Sequence, residues 1–172
     1  FNGGIIMAIY YGDGSNSGSG RVIQVTWQET TSAFTYNSTS WGNVGLSHSI
    51  TPKSTSSKIL VMFNLNIGSN NNGNRILLKV QRDGNDEFIG DASGSRSRCS
   101  AQTSTANHQD ARGCHITFLN SPNTTSSVSY RIQAKMQVAG SSYAYFGTEG
   151  ANYDNAMAGR FPQSIVLMEL AG

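Results

Sequence analysis

From Ser127 to Val138 the chain alternates without a break. Val128, Tyr130, Ile132, Ala134, Met136 and Val138 fall on one face, and Ser129, Arg131, Gln133, Lys135 and Gln137 on the other. Side chains of a strand point to opposite faces with period two, so this run predicts an antiparallel strand with one buried and one wet face. Lys58 to Ile67 alternates too, with Ile59, Val61, Phe63, Leu65 and Ile67 against Leu60, Met62, Asn64 and Asn66. Its second face is half apolar and needs a partial cover. Gln163 to Leu170 sets Ile165 and Leu167 against Val166, Met168 and Leu170, the pattern of a strand in the middle of a sheet or at a subunit interface.

Weaker alternation predicts strands over Arg21 to Gln28, Gly45 to Ile50, Arg75 to Arg82, Cys114 to Leu119 and a short Glu87 to Ile89 segment. Asp83-Gly84 reads as a tight hairpin turn. The Tyr-rich Ser141 to Gly147 stretch is expected to return antiparallel to the Ser127 to Val138 strand, and Gly68 to Asn74 reads as a loop. Apolar residues do not recur convincingly at helical spacing. Eight to ten short strands without crossover helices predict an all-β fold, an antiparallel β-sandwich or jelly roll, with a closed up-and-down barrel as the alternative. Leu60, Met62, Leu77, Val166, Met168 and Leu170 lie opposite the core stripes and cannot all be left in water, so the pattern predicts an oligomer interface, with a homotrimer expected.

A chain of 172 residues suits one domain with a two-sheet core. Residues 1–20 divide into an apolar piece, Ile5 to Tyr11, and a Gly/Ser tether, Gly12 to Gly20, leaving 21–172 as the β domain. The sequence starts at Phe1 with its first methionine at Met7, so either Met7 is the natural start or the chain is cut from something longer. A docked N-terminal arm, covered by another chain or by the domain itself, is the expectation. Charged residues make up 13% of the chain and the net charge is +2, so solubility rests on hydroxyls and amides. No basic stripe interleaved with aromatics points to nucleic acid, and no segment is long and apolar enough for membrane insertion as a helix.

Candidate chemistry is sparse. Cys99 and Cys114 flank a polar stretch that a disulfide could close, two buried free thiols being the other reading. His48, His108 and His115 are not gathered by any motif, and adjacent strand residues such as Cys114 and His115 face opposite ways. Asp83, Asp86, Glu87 and Asp91 cluster around the hairpin without matching a calcium loop, so a solvated turn is expected and no metal. Asn37-Ser-Thr39 and Asn123-Thr-Thr125 match the N-glycosylation acceptor pattern, as chance allows in a chain this rich in Asn, Ser and Thr. No nucleophile is paired with a base, nor two carboxylates at useful spacing, so a catalytic role and a cofactor are not expected. Tyr143, Tyr145 and Tyr153, with Asn70, Asn71 and Asn72, combine flat rings and amides in Gly-rich segments. That chemistry suits saccharide recognition on loops, with ordinary strand packing as the alternative for the tyrosines.

Several ordered features carry a resemblance. They are Gly45 to Val61 with its Ser-His-Ser-Ile-Thr-Pro-Lys core, Arg82-Asp-Gly84, Ile89-Gly-Asp91, Phe118 to Thr125, Tyr130-Arg-Ile-Gln133 and the terminal Ile165 to Gly172. With the opening Met7-Ala-Ile-Tyr-Tyr-Gly-Asp-Gly-Ser-Asn16, the chain resembles a family of small structural proteins of marine tailed phages over nearly its whole length. Phe1 to Ile6 departs from the start expected of that family. The resemblance implies a virion component at the particle surface, a tail-fibre tip or other surface appendage used in host attachment. It also implies a jelly roll similar to tumour-necrosis-factor and complement globular-head trimers, contacts with other virion proteins through the arm, and a host surface glycan or protein as partner. A capsid decoration protein and a secreted lectin or adhesin module are the alternative functions.

Overall fold

The computed structural model describes residues 20–107, 109–150, 154 and 156–172. The expected arm, apart from Gly20, lies outside them, as do His108 and Tyr153. The described residues form strands β1 (Val22–Thr30), β2 (Phe34–Tyr36), β3 (Gly42–Ile50), β4 (Lys58–Ser69), β5 (Arg75–Arg82) and β6 (Asn85–Glu87). They continue with β7 (Ala101–Ser104), β8 (Ala111–Asn120), β9 (Val128–Met136), β10 (Ala144–Phe146) and β11 (Gln163–Leu170), and contain no helix.

Every pairing is antiparallel. In the first sheet β4 pairs with β8 along one edge, and along the other with β11 near its start and β10 at its end; β1 flanks β11 and β2 flanks β10. The main order is therefore β8-β4-β11-β1. The second sheet runs β3-β9-β5, with β6 and β7 sharing the far edge of β5. From β3 to β9 the chain changes sheets at every step except the β5–β6–β7 hairpin, and that connectivity makes two facing sheets in jelly-roll order rather than a closed barrel.

The alternation places the core as expected. Ile59, Val61, Phe63, Leu65 and Ile67 of β4 and Ile165 and Leu167 of β11 face Tyr130, Ile132, Ala134 and Met136 of β9 and Ile76, Leu78 and Val80 of β5, all fully buried. The Asp83-Gly84 turn is the two-residue hairpin its sequence signals: Arg82 pairs with Asn85, and φ is 49° at Asp83 and 88° at Gly84.

Several features depart from the sequence expectations: the short strand after the Asp83-Gly84 turn is Asn85–Glu87 rather than Glu87 to Ile89, and β9 ends at Met136, leaving Val138 exposed. β2, Phe-Thr-Tyr, is three residues long and β7 is four residues long and mostly polar, so neither gives enough alternation to reveal a strand; backbone pairing to β10 and β5 makes them strands. β10 does not return along β9 but pairs with β4 and β2. The cause lies in the crossing segment, where Asn74 holds both Val138 N–H and Val138 C=O, and Asn37 does the same for Gly140. The chain is thereby led away from β9 toward the first sheet. There, β4 and the segment after β10 come so close that a Cβ on Gly68 would strike the Gly150 backbone, and one on Gly150 would strike Ser69.

Of the two readings of the cysteines the free thiols hold and the disulfide bridge does not, with Cys114 buried and Cys99 only half-buried. Cys114 points into the core from β8 in the first sheet, whereas Cys99 precedes β7 in the second, its carbonyl held by Gly90 N–H. Leu77 is the other correction. Its outward side chain is on β5, between Gln102 and Lys135, so it lies on the opposite sheet from the other five residues expected at one interface.

Candidate functional site

Register fixes which outward side chains lie side by side on the first sheet. One outward row across β1, β11, β4 and β8 reads Trp27, Val166, Met62, Thr117, and the next reads Val25, Met168, Leu60, Leu119. Leu170 opposite Val22 extends this surface. Trp27 is 39% exposed and Leu119 50% exposed, so the face carries large apolar groups in contact with water. Above it the surface turns polar at once: Glu29, Ser164, Asn64 and His115 form the next outward row, with Asn64 donating to Ser164 Oγ at 3.2 Å and lying 3.0 Å from His115 Nδ1. The apolar area is a bounded patch of adjoining residues, the kind of surface that marks an interaction site.

Apart from Leu77, the outer face of the second sheet is polar. Arg131 donates twice to Gln81 Oε1, Gln81 donates to Asp86 Oδ1, and Lys79 pairs with Asp86 at 3.0 Å while lying 4.7 Å from the centre of the Trp41 ring. The Gln81 hydrogen bond, and after it Lys79, hold the Asp86 carboxyl below its ordinary value. Gln133 donates to Asn43. Asp86 and Glu87 are thus tied to Lys79 and Arg82, and Asp83 accepts from Ser129 N–H. Among the described residues no group of three or more His, Cys, Asp or Glu side chains is placed to hold a metal ion.

The two segments expected to form a recognition surface do meet. Asn70 donates to Ser141 C=O and accepts from Tyr143 N–H, and Asn71 donates to Ser142 Oγ. Tyr143 is 38% exposed, and its ring centre lies 6.2 Å from that of Tyr145. Tyr143 is therefore presented at the surface with the half-buried Tyr145 next to it, Asn72 is exposed in the facing loop, and the Asn70 and Asn71 amides are engaged in holding that loop. Tyr153 lies outside the described residues.

Sequence reasoning missed a polar cluster at the other end of the sandwich. Tyr130, fully buried, donates to Asn120 Oδ1 at 2.8 Å; Arg82 donates to the same oxygen at 2.7 Å; Asn120 donates to Glu87, which pairs with Arg82. Burial pushes the Tyr130 phenol well above its ordinary range, so it stays a hydrogen-bond donor. Beside it Glu169, also fully buried, accepts from Lys53 N–H and from the Gln24 amide. In register, Gln24, Glu169, Ile59 and Asn120 form a single inward row, so these groups close one end of the core. Their segments are far apart in sequence and share no motif.

The reactive side chains are separate from one another. Cys114 faces the core and His115 the outer surface, and burial raises both thiols above their ordinary value, which disfavours the nucleophilic thiolate. His48 is paired in register with Tyr130, and its Nε2 is buried with no hydrogen-bond partner among the described residues. Burial lowers its affinity for a proton. An unfolded chain takes up that proton near pH 6.5 and the folded one resists, so the stability due to neutral His48 is complete above that pH and is lost as pH falls below it. Urea midpoints measured at about pH 7.5 and about pH 5.5 should differ less in His48→Gln than in the parent protein; an unchanged difference would exclude His48 as the source.

These elements define a jelly-roll domain with one apolar and one polar outer face and a tyrosine-bearing loop end. No protein-family model matches the sequence, and no curated protein matches it.

Proposed function

We propose that this protein is a non-enzymatic virion structural protein, a tail-fibre or surface-appendage domain that assembles as a homotrimer and serves host attachment. The observation that carries the reading is the contrast between the two outer faces. The sheet β8-β4-β11-β1 presents adjoining apolar rows to solvent, while the other sheet is covered by hydrogen-bonded polar side chains. A face of the first kind is stabilised by burial against further copies of the chain, at about 25 cal/mol per Å² of apolar area. The number of copies and the virion setting come from the resemblance to phage structural proteins. Residues 1–20 are assigned the contact with other virion proteins.

In this reading the exposed Tyr143 ring and the half-buried Tyr145 ring beside it offer stacking faces to a host-surface glycan. Tyr143→Ala and Tyr145→Ala should each reduce adsorption of particles to host cells by roughly tenfold, as loss of a buried aromatic contact implies, with little change in melting temperature. Losses of stability that match the losses of adsorption would reduce these rings to packing residues. Imaging of particles with this chain tagged tests the setting itself: label on the tail or another appendage supports it, and label at capsid axes replaces it with a decoration role.

A further inference from the structure

Three cations scattered in the sequence are brought together on the outer face of the second sheet. Arg75 and Leu77 follow each other on the outward side of β5; Lys135 on β9 and Gln102 on β7 flank Leu77 in register. Arg96 and Ser97, from the loop before β7, lie over this platform, with Lys135 Nζ 3.5 Å from Ser97 Oγ. Together with Thr39 and Gln137 these residues line an open groove of about 640 Å³, within the size range of small-molecule and oligosaccharide sites. No carboxylate lines it. The ion pairs among the described residues, Lys79 with Asp86 and Arg82 with Glu87, leave its three cations out.

We propose that this groove binds an anionic polysaccharide, with Arg75, Arg96 and Lys135 holding its sulfate or carboxylate groups. Three like charges beside one another repel, and a bound polyanion relieves the repulsion. Guanidinium groups take up sulfate or carboxylate oxygens in bidentate fashion. The rest of the lining suits sugar rather than bases: Gln102 and Gln137 supply amides and Thr39 and Ser97 hydroxyls, which match ring hydroxyls, while no aromatic ring is present on which a base could stack. Because the platform is three paired strands, its spacing is set before the ligand arrives. The proposal goes beyond the attachment reading and rests on the groove alone, so it stands or falls independently of trimer formation and of Tyr143.

The test is titration of the full chain with dextran sulfate, polygalacturonate, neutral dextran and a single-stranded DNA oligomer. Dextran sulfate, polygalacturonate or both should bind, which also identifies the preferred anionic group, and neutral dextran should not. Arg75→Gln combined with Lys135→Gln should weaken binding at least tenfold. Arg112→Gln, which removes an exposed cation from β8 on the other sheet, should change it less than twofold. All of these positions lie at or near the surface, and an unchanged melting temperature confirms that each variant is folded. Equal weakening by Arg112→Gln would reduce the effect to net charge and overturn the proposal. So would binding of neutral dextran as tight as that of either polyanion, or DNA binding that is tighter and depends on the same residues.

Discussion

Met168→Asp is expected to convert the assembled protein to monomers at micromolar concentration, while Gln133→Asp leaves assembly unchanged. Met168 stands between Val25 and Leu60 in an outward row that continues to Leu119. A carboxylate there would have to be buried among apolar groups in any oligomer closed over this face, at a cost of several kcal/mol per subunit contact. In the monomer it would sit in water and cost little. Gln133 lies on the polar outer face, bonded to Asn43, where another charge is tolerated. Light scattering on the parent protein should give about three times the chain mass of 18.4 kDa, falling to that single mass in Met168→Asp. A parent protein that is monodisperse at the single mass would remove the trimer from the proposed function.

Much of the fold is legible in the sequence because alternation is local. The inward and outward sides of β4, β9 and β11 follow from each strand alone, and so does the Asp83-Gly84 hairpin. Pairing partners are not local. Leu77 shows the consequence: alternation says that it faces away from the core, but only the topology says that it does so on the sheet opposite Met168. β10 has the same difficulty, since it is Asn74 and Asn37, far away in sequence, that steer the preceding chain. The candidate surfaces divide along this line as well. The apolar face is visible strand by strand, whereas the basic groove gathers Arg75, Arg96 and Lys135 from three segments whose charges look isolated along the chain.

Asn120 is the residue whose loss should destabilise the monomer most for its size, and for the same nonlocal reason no motif announces it. At the end of β8 its side-chain oxygen accepts from Tyr130 and Arg82 while its nitrogen donates to Glu87. The residue is 8% exposed and Tyr130 is fully buried. Asn120→Ala leaves the Tyr130 hydroxyl without an acceptor and the Arg82–Glu87 pair without its bridge, which should cost about 2 to 4 kcal/mol. For a chain of this length that lowers the melting temperature by roughly 5 to 15 °C at fixed protomer concentration. Tyr130→Phe removes only the donor, leaves Asn120 bonded to Arg82, and should cost about 1 kcal/mol. Because the two side chains share one bond, the double variant should be more stable than the sum of the single losses predicts, by at least about 0.5 kcal/mol. Additive losses in denaturant unfolding would mean that Asn120 acts through packing and not as the hub of a hydrogen-bonded cluster.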